Sequence, residues 1–148
     1  IGTAAIRPEM AGGEDLLDAA QRAMRRRSEF LYRKLVLVDD YAPVNDTIEM
    51  VLADTFDIRK TSDYDEALAW IKTDPPDGLI TEIDLRGNRK GTDLAEAALA
   101  TNRDLRVIYT SVDPRPQGLL ESRRETCLYL QKPFSVDQLK DVIAAAWP

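Results

Sequence analysis

Six residues of this chain could do chemistry together, and each stands at or just beyond the end of an apolar run. Asp39 and Asp40 close "LVLVDD", Glu82 and Asp84 stand at the end of "GLITEID", Thr110 ends "LRVIYT", and Lys132 follows "CLYLQ" just before Pro133. Gathered in one place they would form an acidic pocket flanked by one hydroxyl and one ammonium. Like charges so close are costly unless a cation or the lysine offsets them, and carboxylates are the hard oxygen ligands that suit Mg2+. Glu82 raises the sharpest question, because a glutamate is an unusual end to a strand that otherwise reads as buried.

Composition removes several other chemistries. The chain has no histidine, so it builds no histidine triad, no imidazole metal ligand and no histidine proton switch near neutral pH. Its single cysteine, Cys127, allows neither an internal disulfide nor a thiolate zinc cluster, which suits a reducing compartment. The formal net charge of -6 repels a phosphate backbone, and no Lys/Arg face with interleaved aromatics offsets it, so nucleic acid is not expected as a partner. No apolar run approaches the ~20 residues that span a bilayer, and no secretory segment is evident. The protein therefore reads as soluble and cytoplasmic, without a membrane partner.

The elements that must position the six residues alternate regularly. At 148 residues and 44% hydrophobic content the chain suits one domain with an appendage. Residues 1–13, "IGTAAIRPEMAGG", read as a linker or vector-derived segment. Residues 14–33 read as a helical extension, with Leu17, Met24 and Leu31 seven apart. That spacing suits a short coiled-coil seam, while Ala20 and Arg27 at the intermediate positions suit a solvated helix on its own domain. From Lys34 onward strand and helix repeat five times. "LVLVDD" is a run of the kind that a strand buried on both faces requires, and Val44, Ile48, Val51 and Leu52 follow at helical spacing. "FDIRK" is the second strand, and Ser62 is placed to cap "SDYDEALAWI". "GLITEI" is the third strand, followed by a helix with Leu94, Ala95, Ala98 and Leu99 inward. "LRVIYTS" is the fourth, followed by a short helix "GLLESRRE". "CLYLQ" is the fifth, and Ser135 with Gln138 announces the last helix as a capping box, with Phe134 and Leu139 at the staple positions.

Five such units predict an α/β fold: a flavodoxin-like, doubly wound, five-stranded parallel sheet of order 2-1-3-4-5 with an N-terminal helical extension. In that order strands one and three are neighbours where the winding reverses, and ligands bind there, outside the carboxyl ends of the strands. Asp39, Asp40, Glu82 and Asp84 would meet at that point.

With those residues in place, the chain from Lys34 to Trp147 resembles the receiver domain of a two-component response regulator, which implies a domain spanning 34–148. "VLVDD" is similar to the family's acidic pair. Thr110 in "YTS" resembles its switch threonine, Lys132 in "LQKPF" its strand-five lysine, and Tyr129 the aromatic that changes rotamer on activation. In such receivers an aspartate at the end of strand three takes a phosphoryl group from a histidine of a partner kinase. Mg2+ on the acidic pair, that aspartate and a carbonyl two residues on offsets the charge, while the lysine and threonine bind phosphoryl oxygens. Carried over, the resemblance implies Asp39, Asp40 and Glu82 as metal ligands, Asp84 as the carbonyl donor, Lys132 as the charge-stabilising group, and Thr110 and Tyr129 as the switch. It implies a signalling module rather than an enzyme, working in a phosphorelay with a histidine kinase or a downstream signalling protein. Such receivers tend to pair through the fourth helix, fifth strand and fifth helix, and a homodimer through residues 14–34 is the other route to assembly.

The chain departs from the family's pattern at the acceptor. Counted from Asp77, the register puts Glu82 at the phosphoacceptor position, while a shift by two makes Asp84 the acceptor and pushes its carboxylate into the turn. Arg86 also stands where the family commonly has proline. The extra methylene of Glu82 carries its carboxylate outward by about 1.5 Å, one C–C bond, toward Lys132 and Thr110. A Glu82 contact with Lys132, weak Mg2+ binding and an atypical receiver independent of phosphorylation are therefore expected. The alternatives are a conventional phospho-accepting receiver using Asp84 or Glu82, and a flavodoxin-like cofactor binder. The second needs a hydroxyl- and glycine-rich phosphate loop where this chain has "DDYAPVN". An Asp-x-Asp phosphatase reading of "EIDLR" fails at its first residue.

Overall fold

The computed structural model describes residues 16–21, 32–114 and 127–148. The chain divides into two units, 1–32 and 33–148. In the first, residues 16–21 are helical and exposed. In the second, β1 (Arg33–Val38), β2 (Phe56–Thr61), β3 (Gly78–Glu82), β4 (Arg106–Ser111) and β5 (Cys127–Gln131) alternate with α1 (Ala42–Leu52), α2 (Tyr64–Thr73), α3 (Gly91–Thr101) and α4 (Val136–Ala146). The strands form one parallel sheet in the order β2-β1-β3-β4-β5, the order expected from the sequence.

The continuous apolar runs are explained by burial on both faces. In β1, Leu35 and Leu37 enter a core with Ile48 and Leu52 of α1 and Leu139 and Ala146 of α4. Val36 and Val38 point the other way, into a core with Ala67 and Ile71 of α2 and Leu94 and Ala98 of α3. The four inward residues expected on α3 are all buried. So α1 and α4 cover one face of the sheet and α2 and α3 the other, which leaves the carboxyl ends of the strands open for a site.

The helix starts follow local chemistry. Ser135 and Gln138 form the expected capping box, with Ser135 Oγ accepting from Gln138 N at 3.1 Å and Gln138 Oε1 accepting from Ser135 N at 2.8 Å. Phe134 packs with buried Leu139 in one core, as the staple positions suggest. The cap of α2 is Asp63 rather than Ser62: its Oδ1 accepts from Asp65 N at 3.3 Å. The reason is that β2 runs on to Thr61, whose hydroxyl takes the Asp63 N–H at 3.0 Å and delays the turn by a residue. The helix expected over "GLLESRRE", and Met24 and Leu31 of the heptad spacing, lie outside the described residues.

Between β3 and α3 the chain makes a small antiparallel hairpin, Asp84–Leu85 against Arg89–Lys90. Its tip holds Gly87 at φ 71° and Asn88 at φ 60°, the left-handed conformation that glycine adopts freely and asparagine tolerates.

Candidate functional site

The carboxyl ends of β1, β3, β4 and β5 bring four of the six residues together. Asp39, immediately after β1, is buried; its Oδ1 accepts from Tyr41 N at 2.8 Å and its Oδ2 from Lys132 Nζ at 3.0 Å. Glu82 ends β3 and its Oε2 accepts from the same Lys132 Nζ, so one ammonium bridges two carboxylates. The three side chains are 4% (Asp39), 12% (Glu82) and 13% (Lys132) exposed, which makes this a partly buried ionic cluster rather than a surface pair. Lys132 is placed by its backbone, whose N–H continues the β4–β5 ladder to Ser111 O at 2.8 Å. Thr110, buried, is the register partner of Glu82, and its carbonyl accepts from Ile83 N at 3.0 Å.

Burial pushes the Glu82 carboxyl above the usual glutamate range, and the hydrogen bond from Lys132 offsets only part of that. Burial by itself would lower Lys132, but its bonds to Glu82 and Asp39 outweigh it and hold the ammonium protonated.

The other expected residues are placed as follows. Asp40 adjoins the cluster, and its Oδ1 is buried without a hydrogen-bond partner. The Asp84 carboxylate is turned away, paired with Lys90 across the hairpin and more than half exposed. Tyr129 on β5 is half-buried, and its hydroxyl donates to the carbonyl of Asp113 in the segment that follows Thr110.

Two further residues shape the site. Asn45 on α1 is buried; its Nδ2 donates to Thr61 O at 3.0 Å and reaches Asp39 O at 3.5 Å, tying the end of β1 to that of β2. A signal existed: a polar residue three before Ile48 and seven before Leu52 occupies the inward face of an amphipathic helix. Gly91 opens α3, donates its N–H to Ile83 O at 2.7 Å, and lies against the backbone of Glu82.

The arrangement suits two tasks. A bridging ammonium beside a buried hydroxyl can hold anionic oxygen, and Glu82 already supplies one such group. The Asp39 and Asp40 carboxylates, with the orphaned Asp40 oxygen, have the donor chemistry for a hard cation. With Glu82 turned onto Lys132, however, no three His, Cys, Asp or Glu side chains among the described residues are grouped closely enough to hold a metal ion. Beside Lys132 a groove of about 420 Å³ opens, lined by Tyr41, Val44, Val112, Pro133 and Phe134 among others. No helix among the described residues is long and apolar enough to cross a membrane.

Comparison with solved structures shows the same fold elsewhere. The response regulator PhyR from Brucella abortus is 22% identical with a TM-score of 0.64, over 78% of this chain and 47% of that one. NtrX from the same organism is 26% identical with a TM-score of 0.67, over 77% of this chain and 26% of that one. The chemotaxis protein CheY4 of Vibrio cholerae is 18% identical with a TM-score of 0.67, over 78% of this chain and 98% of that one. The chain thus spans about half of the PhyR structure and about a quarter of NtrX. No curated protein matches it. The family model of the response regulator receiver domain matches residues 35–144, from the first buried leucine of β1 into α4, and the chain belongs to that family.

Proposed function

We propose that this receiver domain acts in two-component signalling without being phosphorylated, with Glu82 in place of the acceptor aspartate, and that it works by presenting a surface to protein partners. Receiver domains are generally non-enzymatic signalling modules that interact with histidine kinases and downstream effectors. The observation that carries the proposal is the Lys132 bridge to Asp39 and Glu82. It places a genetically encoded carboxylate on the lysine that a phosphoryl oxygen would otherwise meet. The imitation is partial, because a carboxylate brings one charge and two oxygens against roughly -1.5 to -2 and three oxygens for a phosphoryl group. The bond from Tyr129 to the segment after Thr110 supports an arrangement biased toward the active form. Tyr41 and Val112, 64% and 68% exposed on the groove beside Lys132, support a protein-binding surface next to the site.

Conventional phosphorylation at Asp84 is disfavoured by its pairing with Lys90 on the hairpin. The test is incubation with Mg2+ and a small phosphodonor, read by intact mass and peptide mapping. The expected result is no added phosphoryl mass; rapid, stoichiometric addition at Glu82 or Asp84 would overturn the proposal. Asp39 and Asp40 are the carboxylates that would hold Mg2+, which would neutralise charge at the acidic end; with Glu82 on Lys132, weak affinity is expected.

The same reading includes a homodimer through the N-terminal extension, supported by Leu16 and Leu17, both more than half exposed on the helical stretch 16–21. Removing residues 1–32 is expected to lower the sedimentation coefficient from that of a dimer to that of a monomer. An unchanged sedimentation coefficient would remove the N-terminal interface.

A further inference from the structure

The hairpin after β3 carries three cations within five residues, Arg86, Arg89 and Lys90, beside a site whose charge is otherwise acidic. They do different things. Lys90 closes the hairpin on Asp84. Arg89 anchors it to the start of α2, with its guanidinium 3.9 Å from the Tyr64 ring centroid and 3.1 Å from Asp65 Oδ1. Arg86 reaches the other way, to the end of β1, where its Nη2 donates to the carbonyl of Asp40 at 3.3 Å. That guanidinium therefore stands beside the residue whose Oδ1 is buried and unpartnered.

We propose that Arg86 is a resident cation that competes with Mg2+ for the acidic end of the sheet, and that the anchored hairpin holds it there. The inference rests on the reading of Asp39 and Asp40 as the ligands of a weakly bound cation. Three facts converge on it. The acidic cluster has a positive group on each side, Lys132 bridging Asp39 and Glu82, and the exposed Arg86 on the Asp40 side. Among the described residues Arg86 is bonded to a backbone oxygen and pairs with no carboxylate. The hairpin backbone that presents it is anchored by the stacking of Arg89 on Tyr64, and its tip turns through two left-handed residues. A divalent ion arriving at Asp40 would meet this charge, held 3.3 Å from that residue's carbonyl oxygen, across partly screened surface. Such repulsion is worth on the order of five- to tenfold in affinity.

The experiment titrates Mg2+ into the full chain at low salt, following the amides of residues 39–41 and 82–85 by NMR, for the parent, Arg86→Ala, Arg86→Lys and Arg89→Ala. Thermal melting in metal-free buffer checks that each variant is folded. Arg86→Ala is expected to tighten Mg2+ about five- to tenfold, Arg86→Lys to stay within about twofold of the parent, and Arg89→Ala to tighten it by a smaller factor as the hairpin loosens. The differences should shrink as ionic strength rises and screening shortens. Equal or weaker binding by Arg86→Ala overturns the role of Arg86 alone. Absence of Mg2+ binding in every chain overturns the cation site along with it. Phosphodonor labelling tests the phosphorylation-independent reading separately, and its outcome leaves the order of affinities untouched.

Discussion

Shortening Glu82 by one methylene should switch labelling on. Glu82→Asp, given Mg2+ and a small phosphodonor, is expected to gain a phosphoryl group on the order of a hundred times faster than the parent chain, mapped to residue 82 by peptide mass. In-line transfer is sensitive to position, and a misplacement of about 1 Å costs roughly a hundredfold. The parent carries that misplacement in its covalent length, since its carboxylate lies about 1.5 Å beyond that of an aspartate and already rests on Lys132. Retracting it loosens the hold on Lys132, which keeps its bond to Asp39, and opens the space beside Thr110 for the incoming group. Asp84→Asn in the same background should leave the rate unchanged, because that side chain is held by Lys90. Equal rates in the parent and the aspartate variant would show that the glutamate is a competent acceptor.

The second large effect is on folding. Gly91→Ala is expected to destabilise the domain by about 3 kcal/mol or more, lowering its melting temperature by roughly 10 °C. A β-carbon at position 91 would land on the carbonyl oxygen of Glu82, well inside van der Waals contact, and 2.7 Å from Thr81 Oγ1. Neither obstacle can swing aside. The carbonyl is backbone and accepts from the Thr81 hydroxyl at 2.9 Å, and Thr81 is fully buried in β3. Gly91 must also stay close, because its N–H donates to Ile83 O at 2.7 Å and starts α3. Relief would have to come from moving α3 away from the end of β3, which would open the core around Leu94 and Ala98. Thr92→Ala, one residue on, is the control. Equal melting temperatures for the parent and Gly91→Ala would show that α3 can shift without cost.

The sheet was legible because its signal is local. A run such as Leu35 to Val38 has no polar face, so both sides of the strand must be covered, and the helical spacings between runs supply the covers. The meeting of Asp39, Glu82 and Lys132 followed from strand order, and the Glu82 contact with Lys132 from the extra methylene of a glutamate at that position. What stayed hidden depends on long-range or competing partners. Asp84 lies only two residues beyond Glu82 and reads as part of the same acidic group, yet a hairpin pairing with Lys90 turns it outward. Arg89 finds Tyr64 and Asp65 some 24 residues away in sequence, which no periodicity announces. Ser62 lost the cap of α2 to Asp63 because the Thr61 hydroxyl captured the intervening N–H. Asn45 reads as a lapse in an apolar stripe until Thr61 O is seen opposite it.

The Lys132 bridge also bears on time. An acyl phosphate hydrolyses, so an ordinary receiver carries a clock: the signal decays unless a kinase renews it, and a phosphatase can erase it early. A carboxylate written into the chain at Glu82 has no such decay, and no enzyme resets it. A receiver built this way would report its own abundance rather than the flux through a kinase. Its dose would be set by synthesis and proteolysis, over minutes to generations rather than over the lifetime of a phosphoryl bond.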